Sequence, residues 1–315
     1  MTTFATVDAP ACVLGEGPIW SDRDDALYWV DVVAKLIFRF RPSGGEVAIR
    51  ELPFAPSAIV PRKTGGLLLV TKKGMAILDS FEGALQSIAV PLIDFTREVF
   101  NDAACDQAGR LWIGTRDINA REAKGRLYRI DADFDVTVHA EGLVISNGIA
   151  WSPDGRTMYH VDSRPGRIDA YDYDPDRGAI SARRVFLDYD QPGTAGHPDG
   201  CTVDAEGGLW VAEVEGARLA RYTPDGRLDR EVPLPVSKPT SVMFGGPGLR
   251  TLFATSMQFR LSQSELAEQH LAGRLFALDV GVAGLPEPLF AGTRPAVPAV
   301  EIGANAPRAT SGGTR

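Results

Sequence analysis

The sequence predicts an all-β chain folded as a six-bladed β-propeller, and three observations lead there. A Gly- or Asp-led turn runs six times into a short apolar strand: 27-LYWVD-31, 67-LLLVT-71, 111-LWIGT-115, 158-MYHVD-162, 209-LWVAE-213 and 252-LFATS-256. Their central residues, Tyr28, Leu68, Trp112, Tyr159, Trp210 and Phe253, recur at steps of 40, 44, 47, 51 and 43 residues, the length of a four-stranded blade. Each is followed by a second apolar strand such as 35-KLIFRF-40 or 167-RIDAYDYD-174, and most of these alternate apolar and polar residues as half-buried sheet strands do.

The elements follow in order. The N-terminal segment 4-FATVD-8 is expected to close the ring as the outermost strand of the last sheet. Turn dipeptides such as Asp154-Gly155 and Asp225-Gly226 fall where tight hairpins need positive φ. Three stretches interrupt the rhythm and read as long loops: residues 116–124 in the third blade, 188–198 before Asp199, and 257–273, where Ser262 or Ser264 suits an N-cap for a short helix. Residues 1–292 are therefore read as one propeller, and 293–315 as a flexible tail by composition.

Composition narrows the function. Apolar residues make up 44% of 315, enough for a proper core, and no apolar run approaches the ~20 residues that span a bilayer. A net charge of −8 argues against nucleic acid, which requires a dense basic face. The first ten residues lack a basic start and an apolar stretch, so the chain is expected to be cytoplasmic. Cys12, Cys105 and Cys201 are odd in number without metal-type spacing, and read as reduced core residues.

Stepping back 11 or 12 residues from each strand centre gives Glu16, Ser57, Asn101, Asn147, Asp199 and Ser241. Equivalent positions in successive blades lie on a ring about the axis, so six segments aim polar side chains at one volume. Two carboxylates and two amides in a narrow channel persist best around a cation, and an all-oxygen donor set favours a hard divalent ion. Calcium, magnesium and manganese suit it, while zinc and ferrous iron remain open. The competing interpretation is local: Asn147-Gly148 and Asp199-Gly200 are also turn dipeptides. His139, His160, His197 and His270 show no paired spacing, and no nucleophile elbow, phosphate loop or dinucleotide fingerprint is present.

The segments 14-LGEGPIW-20, 100-FNDAACDQAGRLWIGT-115, 146-SNGIAWSPDGRTMYHVD-162, 198-PDGCTVDAEGGLWVAE-213 and 244-FGGPGLRTLFATS-256 closely resemble the senescence marker protein (regucalcin)/gluconolactonase family. The likeness runs from about residue 12 to 290. It implies one divalent metal on the axis, held by Glu16, Asn147 and Asp199, with Asp199 as general base and Asn101 contacting substrate and water. The implied substrate is a sugar-type lactone, opened to the free acid.

The chain also departs from that pattern. The arginine usual two residues before the matched asparagine is Val99 here, Gly-Thr-Met reads Gly114-Thr115-Arg116, and a sugar-binding acidic residue is replaced by Asn119, with Asp117 nearby. Arg116 is read as a substitute guanidinium or a selector of an acidic sugar lactone, with a solvent-facing hairpin position as the alternative. His197 is a further candidate for lining the pocket. A metal-dependent esterase or organophosphatase, and a non-catalytic calcium- or protein-binding propeller, are the rival functions.

Overall fold

The computed structural model describes residues 4–88, 90, 93–191 and 195–293. Six four-stranded antiparallel sheets follow one another along the chain. Their innermost strands are Gly15–Ser21, Pro56–Pro61, Glu98–Cys105, Ser146–Trp151, His197–Val203 and Pro239–Gly245. Each lies against the innermost strands of both neighbouring blades, and the last lies against the first, which closes the ring. Backbone hydrogen bonding also joins the two ends of the chain. The strand Phe4–Thr6 pairs with Phe276–Asp279 in the last sheet, Phe4 opposite Leu278 and Thr6 opposite Phe276, as the sequence predicts.

The recurring aromatic and leucine residues are the reason the ring is stable. Tyr28, Leu68, Trp112, Tyr159, Trp210 and Phe253 are each no more than 3% exposed. Six apolar clusters fill the six gaps between adjacent blades, one cluster to a gap. A blade on its own would leave both faces wet, so the period seen in sequence is the period of inter-blade burial. Hairpin chemistry agrees, Gly155 for example turning at φ 66°.

The polar residue that trails each recurring strand is buried as well, and Asp31 and Asp162 show why. Asp31 accepts backbone N–H groups from Val13 at 2.6 Å and Leu14 at 3.2 Å. Asp162 accepts those of Val144 and Ile145, at 3.1 and 2.8 Å. Each carboxylate thus pins the segment that enters its own blade's innermost strand, two residues ahead of Glu16 or Asn147. Charge-assisted bonds of this kind fix a loop more firmly than neutral ones.

After Asp279 the chain crosses the far end of the axial channel. Ala283 and Gly284 bond to Ala205 and Leu249, and Phe290 and Ala291 bond to Pro61, Lys63 and Gly109 on the other side of the ring. Residues 285–288 lie between these anchors, and Phe290 is fully buried between the second and third blades. The loop at 257–273 carries a short helix, Gln263–Glu268, capped by Ser262 in a reciprocal capping box with Glu265. The three cysteines are buried and free. Among the described residues no helix is long and apolar enough to cross a membrane. Apart from Thr293, the expected flexible tail falls outside the described residues, as do residues 192–194 of the loop before Asp199.

Candidate active site

All six innermost strands break register with their neighbour near the same axial level. The irregularities fall between Glu16 and Ile19, Pro56 and Ala58, Phe100 and Ala103, Asn147 and Ile149, Pro198 and Cys201, and Pro239 and Ser241. A bulge bends its strand and re-aims the side chains at it. Ser57, Asn101 and Asp199 sit inside bulges, and Glu16, Asn147 and Ser241 at their edges. The repeated bulge turns these side chains away from the inter-blade core and toward the axis. It is tight: a Cβ at Gly148 would come within 2.6 Å of the Asp199 carbonyl oxygen and 2.7 Å of the Cys201 sulfur. Only glycine lets these two blades approach so closely.

At the mouth the amides interlock. Asn101 Nδ2 donates to Asn147 Oδ1 at 2.5 Å and to the Ser146 carbonyl at 3.0 Å. Asn147 Nδ2 donates to Ser163 Oγ at 2.7 Å, which directs Asn147 Oδ1 toward its neighbours in the ring. Ser57 ties the second blade to the third through the Phe100 carbonyl at 3.1 Å. His160 is fully buried beneath, its Nε2 2.7 Å from Ser146 Oγ, and burial pushes its pKa down to about 3, so it remains neutral.

The carboxylates are strained by one another. Glu16 is pushed up to about 8, first by burial and then by Asp102, with Lys72 opposing. Asp199 is held well above the ordinary carboxylate range by burial, then by Glu16 and Asp102. Asp102 rises to about 6, chiefly by burial. Asp199 Oδ1 is buried with no hydrogen-bond partner. An orphaned carboxylate oxygen crowded by other carboxylates is the environment a hard cation relieves. Among the described residues no three His, Cys, Asp or Glu side chains gather as a metal cluster. The set Glu16, Asn147 and Asp199 has only two carboxylates, and its third donor is an amide. The residues present therefore fit a divalent ion by donor chemistry.

Lys72, Asp102 and Ser163 were not singled out by sequence. Lys72 Nζ lies 3.3 Å from the Phe100 carbonyl and 3.4 Å from Asn101 Oδ1. Its ammonium is pushed down to about 7, first by burial and then by Arg116, against the pull of Glu16, Asp102 and Asp199. A signal was available. Lys72, Arg116 and Ser163 each follow the trailing polar residue of their blade, Thr71, Thr115 and Asp162.

Arg116 is half-buried and stands directly across the sheet from Val99. Directly opposed residues project from the same face, so the guanidinium emerges on the side where Val99 stands. Asn119 and His197 are not brought against this cluster. Asn119 is exposed on the hairpin, its backbone N–H on Asp117, and His197 is exposed with its ring 4.0 Å from Glu215.

Past the ring lies a cavity of about 370 Å³ lined by every innermost strand. It shares Gly17, Asp102 and Ser241 with the mouth and ends on residues 285–288, where burial raises Glu287 to about 7. The axis is thus strapped below the ring.

With this geometry in view, the chain matches the family described as SMP-30/Gluconolactonase/LRE-like region over residues 14–258. The chain belongs to that family. It is 38% identical over 294 residues to a 6-deoxy-6-sulfogluconolactonase of Pseudomonas putida, covering 92% of this chain and 99% of that one. A pentonolactonase of Haloferax volcanii is 35% identical over 294 residues, 91% of this chain and 97% of the relative. Among solved structures, a calcium-binding protein, regucalcin, from Agrobacterium tumefaciens superposes with a TM-score of 0.85 at 28% identity, covering 92% of this chain and 97% of that chain. The family member is thus a six-bladed propeller, as its periodicity predicts.

Proposed function

We propose that this chain is a divalent-metal-dependent lactonase that opens a sugar-type lactone to the free hydroxy acid. The observation that carries the reading is the buried, orphaned Asp199 Oδ1, with Glu16 near enough to add to the effect of burial on its carboxyl. The lactonases among its relatives support the reaction class, and the calcium-binding neighbour supports a metal.

Glu16, Asn147 and Asp199 would hold the ion. When bound, it supplies Lewis acidity to a carbonyl and lowers the pKa of water. Asp199 takes a proton from the attacking water while that oxygen bonds to the lactone carbonyl carbon. The ring C–O bond then breaks, and the proton returns to the departing ring oxygen. Asn101, steadied by Asn147 and Ser146, orients water or the substrate carbonyl through its amide. The strap at 285–288 leaves the mouth above the ring as the route for substrate and product.

The test is a panel of aldonolactones, simple lactones, aryl esters and phosphotriesters, assayed after chelation and again after adding back calcium, manganese or zinc. Aldonolactone opening that is lost on chelation and restored by metal supports the reading. Activity confined to aryl esters or phosphotriesters overturns it.

A further inference from the structure

We propose that Lys72 and Arg116 form an anion-binding pair at the mouth, and that the substrate is a lactone carrying a second, negatively charged group such as a sulfonate or carboxylate. The proposal rests on the lactonase reading for its ring and on two observations of its own for the charge.

The first is position. Lys72 and Arg116 occupy the same phase in adjacent blades, one residue beyond Thr71 and Thr115, where Ser163 stands in the next blade and touches Asn147. Both flank Asn101: Lys72 Nζ approaches its Oδ1 at 3.4 Å, and Arg116 faces Val99, two residues before it.

The second is pairing. Arg110, Arg126, Arg183, Arg218 and Arg221 each hold a carboxylate within 3.0 Å. Among the described residues neither Lys72 nor Arg116 forms a salt bridge. Arg116 instead donates to the carbonyls of Asp117 and Ile118, at 2.9 and 3.0 Å. Two half-buried cations within electrostatic reach repel each other: burial first and Arg116 second depress the Lys72 ammonium, with Glu16, Asp102 and Asp199 opposing. An anion seated between them removes that repulsion.

The decisive experiment measures binding without turnover. Glucono-1,5-lactam, the same lactam bearing a 6-sulfonate and its 6-carboxylate counterpart are titrated by calorimetry into calcium- or manganese-loaded protein. Charge-assisted contacts predict that an anionic ring binds on the order of tenfold or more tightly than the neutral one. The advantage shrinks as salt rises. Lys72→Met and Arg116→Leu each reduce the anionic-to-neutral ratio toward one, and the sulfonate and carboxylate arms show which anion is preferred. Equal affinity for all three lactams overturns the proposal, as does a variant that weakens the neutral and anionic rings alike. Hydrolysis of the matching lactones is scored separately. Opening of neutral and anionic lactones at equal kcat/KM defeats the anion pair and leaves the lactonase reading standing. Selective binding of the anionic lactams with no lactone opened defeats the lactonase reading alone.

Discussion

Ser163 Oγ accepts a hydrogen bond from Asn147 Nδ2 at 2.7 Å, on the side of the amide away from Asn101. Asn147 Oδ1 accepts one from Asn101 Nδ2, so the two contacts together decide which end of the amide serves the ring. Ser163→Ala removes one of the two. Loss of an outer partner of this kind costs about tenfold or more in metal affinity. Calcium titration of the variant checks this, and unchanged affinity would show that the Asn101 contact suffices to orient Asn147.

Asp199→Asn should separate stability from function. It keeps the shape but removes a buried, unpartnered carboxylate oxygen. Metal affinity should drop sharply, and kcat should fall by about 10²-fold or more through loss of the base. The metal-free variant should melt higher than metal-free wild type, by about 2 °C for each kcal/mol of relief. A lower Tm would mean that the carboxylate is satisfied in the apo protein.

The metal-free protein should also lose stability between about pH 5 and pH 7. Glu16 titrates near 4.5 when unfolded and is pushed up to about 8 when folded, so across this window the native state binds the extra proton. Stability falls with pH wherever the folded form holds more protons. Asp199, also raised, acts in the same sense. Lys72, brought down to about 7, works oppositely only above that pH. His160, brought down to about 3, opposes below about pH 6.5 with one proton, against the several held by Glu16, Asp102 and Asp199. Urea titrations at pH 5 and 7 with chelator measure the slope, and saturating calcium should reverse it by binding the ionised carboxylates. A flat profile in chelator counts against the carboxylate cluster.

Phe290→Ala addresses the strap. The ring is fully buried between the second and third blades and lies 5.5 Å, edge-on, from Phe134. Its removal should cost about 3–5 kcal/mol, read from the urea midpoint. Because residues 285–288 also line the axial cavity, dye entry into the channel should rise in the same variant. A loss under 1 kcal/mol would mean the strap only rests on the surface.

Much of the architecture was legible because it repeats. Tyr28, Leu68, Trp112, Tyr159, Trp210 and Phe253 are spaced by blade length since each must fill a gap between sheets. The pairing of 4-FATVD-8 with the last sheet followed from the need to close an edge. The ring of Glu16, Ser57, Asn101, Asn147, Asp199 and Ser241 was found by phase alone, which works because bulges recur at one height in every blade. His197 is a candidate by its nearness to Asp199 and Asn119 by the family resemblance, and both stand exposed. For His197, a two-residue separation says little about direction where a bulge turns the backbone.

Lys72 and Ser163 share a phase along the chain, but their roles, like that of Asp102, needed coordinates. Each is an ordinary residue at a strand end or bulge, and its meaning lies in what another blade sets against it: Asn101 for Lys72, Asn147 for Ser163, Glu16 and Asp199 for Asp102. The chain's own pattern of apolar spacing and turns determined the fold class, the number of blades and the level of the site, since burial and backbone geometry act over a few residues at a time. The pairing of cations, the crowding of carboxylates and the sealing of the far channel by residues 285–288 were decided in three dimensions. Electrostatic energy depends on distances between side chains that lie tens of residues apart in sequence, and those distances exist only once the ring has closed.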